Sequence, residues 1–168
     1  MKPAVKKEID RAKLLYEQYG RELSRDKHIK ELLERYREAN IKTLDKIREI
    51  GVEEGCTFCA VELDECCCFE GVEEKYDYIL LLVNLLLGAE ISEYREIPAA
   101  CLFVGSQGCL MAVRHYFCLH YLCPQLKTSL DPSAIDDFLS VSGDELYCGL
   151  ETEQAIRGWL KQNAELKI

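Results

Sequence analysis

Between residues 3 and 50, apolar side chains recur at steps of three and four. Val5, Ile9, Ala12, Tyr16, Tyr19 and Leu23 form one narrow stripe, and Ile29, Leu32, Leu33, Tyr36, Leu44 and Ile47 a second. Residues three or four apart share a helix face, so this period predicts two amphipathic helices rather than strands. Gly20 weakens the first near its end. Ser24 is expected to cap the second, with Asp26 in the following turn. Glu17–Arg21 and Glu31–Arg35 are spaced as i,i+4 ion pairs on the wet side. Gly51 and Gly55 close the section, which reads as an antiparallel helical hairpin packed on the rest of the chain.

Further along, Ile79–Leu87 reads ILLLVNLLL. Crossing a bilayer takes about 20 apolar residues, so this run predicts a buried core helix, placed over 71–88. Glu73, Glu74 and Asp77 fall near its start, where the helix dipole favours negative charge, and Gly88 is placed to end it. After Pro98, CLFV and CLMAV flank GSQG, which predicts two short strands and a turn. Gly105 and Gly108 lack the Lys-Ser/Thr of a phosphate loop and read as a plain turn. Helical patterning returns from 124. Asp131-Pro132 offers a helix start, and Thr152 is expected to cap a final helix burying Ile156, Trp159 and Leu160. The prediction is one mainly α domain over 1–168, with a helical hairpin at 3–50, a centre at 56–123 and C-terminal helices at 124–168. The centre is loop-rich and cysteine-bearing and includes a short β-hairpin.

Composition narrows the functional classes. The net charge of −9 argues against nucleic acid as a partner, because phosphate binding needs a basic field. The N-terminal MKPAVKKEIDRAK has positive charge with no apolar stretch behind it, so neither a leader nor a membrane partner is expected. A cytoplasmic location follows, where structural disulfides are rare. Ten cysteines therefore point to metal or redox chemistry rather than to staples.

Nine of the ten lie between 56 and 123. Residues 56–68 read CTFCAVELDECCC, with Cys56, Cys59, Cys66, Cys67 and Cys68; Cys101, Cys109, Cys118 and Cys123 follow. A CxxC step lets two thiolates converge on one metal. Adjacent residues point apart in a strand or a helix, so the triplet cannot easily send all three sulfurs to one centre. Nine sulfurs also exceed one ordinary site. Either two sites share them, or one site uses four or five. Closed four-cysteine zinc sites usually show two CxxC-like knuckles, and here there is one. Irregular gaps, surplus cysteines and apolar surroundings suit an iron–sulfur cluster better. His115 and His120 sit in an aromatic stretch and read as core or surface residues. Cys148 stands apart and reads as a buried small residue.

The second group, CLFVGSQGCLMAVRHYFCLHYLC, resembles the YkgJ-like family of zinc- or iron-chelating cysteine-cluster proteins. That family has an upstream cluster ending in adjacent cysteines. It continues with Cys, apolar-aromatic residues, a turn, Gly-Cys and Arg-Pro-x-x-Cys-x-x-Tyr-x-Cys. Cys101, Leu102 and Phe103 match the opening, Gly108-Cys109 the second element, and Arg114, Cys118, Tyr121 and Cys123 the tail. His115 stands where the family has proline, and the Cys59–Cys66 gap is wider. The resemblance covers about 70 residues, 56–123, and implies metal chelation. Arg114 also has a physical role open to it, offsetting the negative charge of a thiolate site and donating to sulfur.

Three functions are compatible with this reading. The first is an iron–sulfur protein that transfers electrons or handles a cluster for a protein partner. The second is a zinc-stabilised protein-interaction module. The third is a cluster-dependent protein methyltransferase, since some protein-lysine methylases carry a similar cysteine pattern. No catalytic residue is assigned for it.

Overall fold

The computed structural model describes residues 1–62 and 67–163, with backbone alone at 57 and 60–62. The fold is mainly α, as the periodicity predicts. Helix α1 spans Pro3–Arg25 and α2 spans Lys27–Glu49. Asp26 separates them and caps α2, its carboxylate accepting from Ile29 N–H at 3.0 Å. Ser24, the expected cap, instead lies inside α1, so the turn is one residue long. The stripe of α1 buries Val5, Ile9, Ala12 and Leu23, whereas Tyr16 is 42% exposed and lies against the backbone of Gly20. Arg35 does not pair with Glu31 in its own helix. It reaches Glu151 at 3.0 Å on the C-terminal helix.

Helix α2 ends at Gly51, whose φ is +74°. Gly55 does not end anything; it lies within α3, Val52–Glu62, which carries the CxxC. A β-carbon there would come within 3.0 Å of Leu126, so the glycine permits α3 to approach the short helical segment Pro124–Ser129.

The helix expected over 71–88 is two pieces. Val72–Lys75 forms one 3-10 turn, and α4 runs Tyr78–Leu86. The break falls at Asp77, whose carboxylate accepts from Ile79 and Leu80 N–H at 3.0 and 2.9 Å, while Glu8 of α1 accepts from Tyr78 N–H at 2.8 Å. The first donors of α4 are thus satisfied from outside the helix. Gly88, at φ +91°, ends α4 as expected: Ala89 N–H donates to Asn84 and Gly88 N–H to Leu85, both backbone carbonyls.

Val104–Gly105 (β1) and Gly108–Cys109 (β2) pair antiparallel, with Val104 opposite Cys109, across the two-residue turn Ser106-Gln107. Helices α5, Tyr116–His120, and α6, Pro124–Ser129, follow. The C-terminal part is one long helix, α7, Pro132–Asn163, beginning beside Asp131 as expected. Thr152 does not start a helix. It is buried in mid-α7 and donates to the Cys148 carbonyl at 2.7 Å. Helix α7 packs along α2, and α1 packs on α4. A large apolar cluster joins α1, α2, α4 and the C-terminal end of α7, with Phe103 and Leu102 inside it. A smaller one joins Ile47, Val52, Leu119, Leu122 and Phe138. No helix among the described residues is long and apolar enough to cross a membrane.

Candidate metal centre

The cysteine-bearing segments come from six places along the chain. Helix α3 carries Cys56 and Cys59, three apart and therefore on one side. Residues 67–70 run alongside 99–101: Glu70 N–H donates to the Ala99 carbonyl at 2.8 Å and Cys101 N–H to the Cys68 carbonyl at 2.6 Å. This backbone pairing, centred on Phe69 and Ala100, ties the first group to the second. The hairpin brings Cys109 back beside Val104, α5 presents Cys118, and Cys123 immediately precedes α6.

Buried polar side chains fix these segments. Glu73 is 1% exposed and accepts from Gly71 N–H at 2.9 Å, Leu102 N–H at 3.3 Å and the Arg95 guanidinium at 2.7 Å. It therefore anchors the strand leading out of Cys101. Burial alone would raise its carboxyl, but these donors outweigh burial and hold it below the usual range. Asn84 of α4 clamps Val113 from both sides, accepting from its N–H at 3.0 Å and donating to its carbonyl at 3.1 Å. That clamp sets the position of Arg114. Tyr76 accepts from His115 N–H at 3.2 Å, and its hydroxyl acts to lower the pKa of the Cys118 thiol.

Two cavities lie between these elements. The inner one, about 110 Å³, is walled by Cys56, Cys67, Cys68, Cys101, Cys109 and Cys118, with Tyr76 and Arg114 beside them. Most of the rest of its wall is apolar, including Val72, Phe103 and Val104 of the large cluster and Val52, Leu119 and Phe138 of the small one, with Glu53 and Gln107 as polar members. It therefore sits where the two cores meet. The outer cavity, about 310 Å³, is walled by Cys56, Cys59, Cys67, Cys68 and Cys123, with Phe58, Gln125, Leu126 and Ser129. Cys56, Cys67 and Cys68 belong to both.

Burial pushes the Cys56 thiol up to about 12, and neighbouring Cys67 adds to the rise against the pull of Arg114. Cys101 is likewise raised to about 12 by burial. Cys118 is raised to about 11 by burial and Cys109, with the Tyr76 hydroxyl and Arg114 acting the other way. Burial works against the charge of Arg114, yet the sulfurs of Cys109 and Cys56 and the Tyr76 oxygen hold its pKa above the ordinary value. The metal-free thiols of Cys56, Cys101 and Cys118 are therefore protonated at neutral pH, and a metal binding to them displaces protons.

Eight of the nine proposed ligand cysteines thus line one or both cavities; Cys66 lies outside the described residues. Cys148 lies in α7, packed on the large cluster, and lines neither. His115 caps α5, its Nδ1 accepting from Phe117 N–H at 3.2 Å, and His120 is exposed, so both have non-metal explanations. Among the described residues, no three His, Cys, Asp or Glu side chains are close enough as they stand to hold a metal ion. Sequence reasoning missed Tyr76, Glu73 and Asn84. Asn84 did carry a signal, as the single amide inside ILLLVNLLL. Compared with family models, curated proteins and solved structures, the chain matches none.

Proposed function

We propose that this chain is a cysteine-ligated metalloprotein that binds an iron–sulfur cluster in the inner cavity and serves electron transfer or cluster handling. The observation that carries the reading is the wall of that cavity, where six cysteines from both sequence groups face one space beside a guanidinium. Cys101, Cys109 and Cys118 would hold the cluster, completed from the shared wall of Cys56, Cys67 and Cys68. The donor set fits: sulfur ligands in an apolar enclosure are what such clusters take. A bound cluster supplies one-electron redox chemistry. Arg114 would offset the negative charge of the thiolate set, and the Tyr76 hydroxyl lies on the same wall as a donor for sulfur, both of which tune such a centre. Phe103, Val104 and Phe138 keep water from it.

Anaerobic purification followed by iron, sulfide and zinc analysis and a visible spectrum tests this. Brown protein with iron and acid-labile sulfide is the expected result. Colourless protein with stoichiometric zinc establishes the zinc-stabilised module instead, and protein without metal under these conditions overturns both.

A further inference from the structure

Three cysteines form a partition rather than one wall. Cys56, Cys67 and Cys68 face both cavities. Cys101, Cys109 and Cys118 line only the inner one, and Cys59 and Cys123 only the outer. The two chambers also differ in character. The inner one is backed by Phe103, Val104 and Phe138, each nearly inaccessible. The outer one is bordered by Phe58, 60% exposed, and by exposed Gln125 and Ser129, so it opens to the surface.

The spacing of its ligands supports a separate role. Cys56 and Cys59 share a face of α3, and Gly55 lets that helix approach α6 at Leu126, which brings Cys123 to the same space. Two cysteines from one helical turn and a third from another segment, with a shared thiol as the fourth, match the donor set of a closed four-sulfur ion site.

We propose that the outer chamber is a second, separately loaded site for a single soft divalent cation of the zinc class, held by Cys59 and Cys123 with ligands from the shared partition. The inference rests on the reading of the cysteine region as metal-binding, but not on the inner metal being iron. Binding is ligand exchange alone: each metal–water bond is replaced by a metal–sulfur bond, and each thiol proton passes to solvent. An outer ion held partly by the partition shares its sulfurs with the inner centre. Loading one site therefore alters the spectrum of the other.

Cobalt(II) is the probe, because its thiolate charge-transfer absorption reports sulfur ligation. The anaerobically purified, reduced full chain is titrated with cobalt(II) and weighed by native mass spectrometry. The expected result is one cobalt per chain in addition to the metal of the inner site. Cys123→Ser and Cys59→Ser should each weaken cobalt uptake at least tenfold while leaving iron and sulfide in place. Cys109→Ser should lose iron and still take up one cobalt. Wild-type protein with no metal adduct beyond the inner one overturns the second site and leaves the proposed function intact. So does loss of iron and cobalt together in Cys123→Ser protein of unchanged helicity. Cobalt bound through Cys59 and Cys123 in protein that never holds iron supports the outer site and removes the cluster reading instead.

Discussion

Glu145 of α7 is fully buried, and its carboxylate is only half answered. One oxygen accepts from Asn40 at 3.0 Å, while the other has no hydrogen-bond partner. Burial raises its pKa, and Thr43, Asn40 and Arg114 offset this only in part. The folded carboxyl therefore holds its proton above the ordinary value of about 4.3. Its contribution to stability is fully present below that value and falls as pH rises through the folded pKa. Glu145→Gln should accordingly stabilise the protein at pH 7, by on the order of 1 kcal/mol, and be near neutral at pH 4. Urea unfolding at both values measures this, and a gap that does not shrink on acidification would contradict it. Cys148, one turn further along α7, lines neither cavity. Cys148→Ala should keep full metal content and an unchanged visible spectrum; loss of stoichiometric metal would make Cys148 a ligand.

At the scale of elements, α4 holds up the floor of the centre. Asn84→Ala would leave the buried N–H and carbonyl of Val113 without their partner, at about 1–3 kcal/mol for each group. It would also free the segment carrying Arg114. The expected outcome is marked destabilisation in urea together with reduced metal retention, whereas Leu85→Ala, on the partly buried side, should cost less and keep the metal. Equal effects of the two would remove the clamp from the account. Local pattern made α1, α2, α4 and the hairpin legible, because each has a period or a turn of its own. It misplaced boundaries wherever a distant residue decided them. Asp77 breaks the 71–88 helix with help from Glu8, and Thr152 lies within a helix that continues because α7 has α2 alongside it. Gly149 resembles a helix breaker in sequence. In the fold it admits the Tyr36 ring, whose hydroxyl would lie 2.8 Å from an added β-carbon. The cysteine groups were legible as candidate ligands, but the pairing of 67–70 with 99–101 was not legible, since backbone hydrogen bonds leave no mark on side-chain type.

Across the whole molecule, the cysteine cavity occupies the junction of two apolar clusters. A structural metal can contribute roughly 10 kcal/mol of apparent folding free energy, comparable with the 5–15 kcal/mol typical of a whole domain, roughly. The large cluster has α1, α2, α4 and the end of α7 to sustain it. The small one has few buried side chains beyond Val52, Leu119, Leu122 and Phe138. Metal removal under reducing conditions should therefore abolish hydrogen-exchange protection across 101–123 and weaken it in α3. The paired surfaces of α1, α2 and α7 should stay protected. Unchanged protection at 101–123 after verified metal loss would make the metal's role chemical rather than structural.

The central claim is that both cysteine groups serve one inner centre. Its most direct test is iron and sulfide per chain in Cys68→Ser, Cys56→Ser, Cys101→Ser and Cys118→Ser proteins, each purified anaerobically and checked for helicity. The shared wall offers more thiols than one cluster needs, so a single partition variant can be rescued by its neighbour. The Cys56→Ser/Cys67→Ser/Cys68→Ser triple variant, which empties the shared wall of described thiols, is therefore included. The account predicts loss of the cluster in Cys101→Ser, in Cys118→Ser and in that triple variant. Full iron and sulfide in the triple variant, with loss confined to Cys101 and Cys118, would show that the second group binds without the shared wall and would contradict the joined centre.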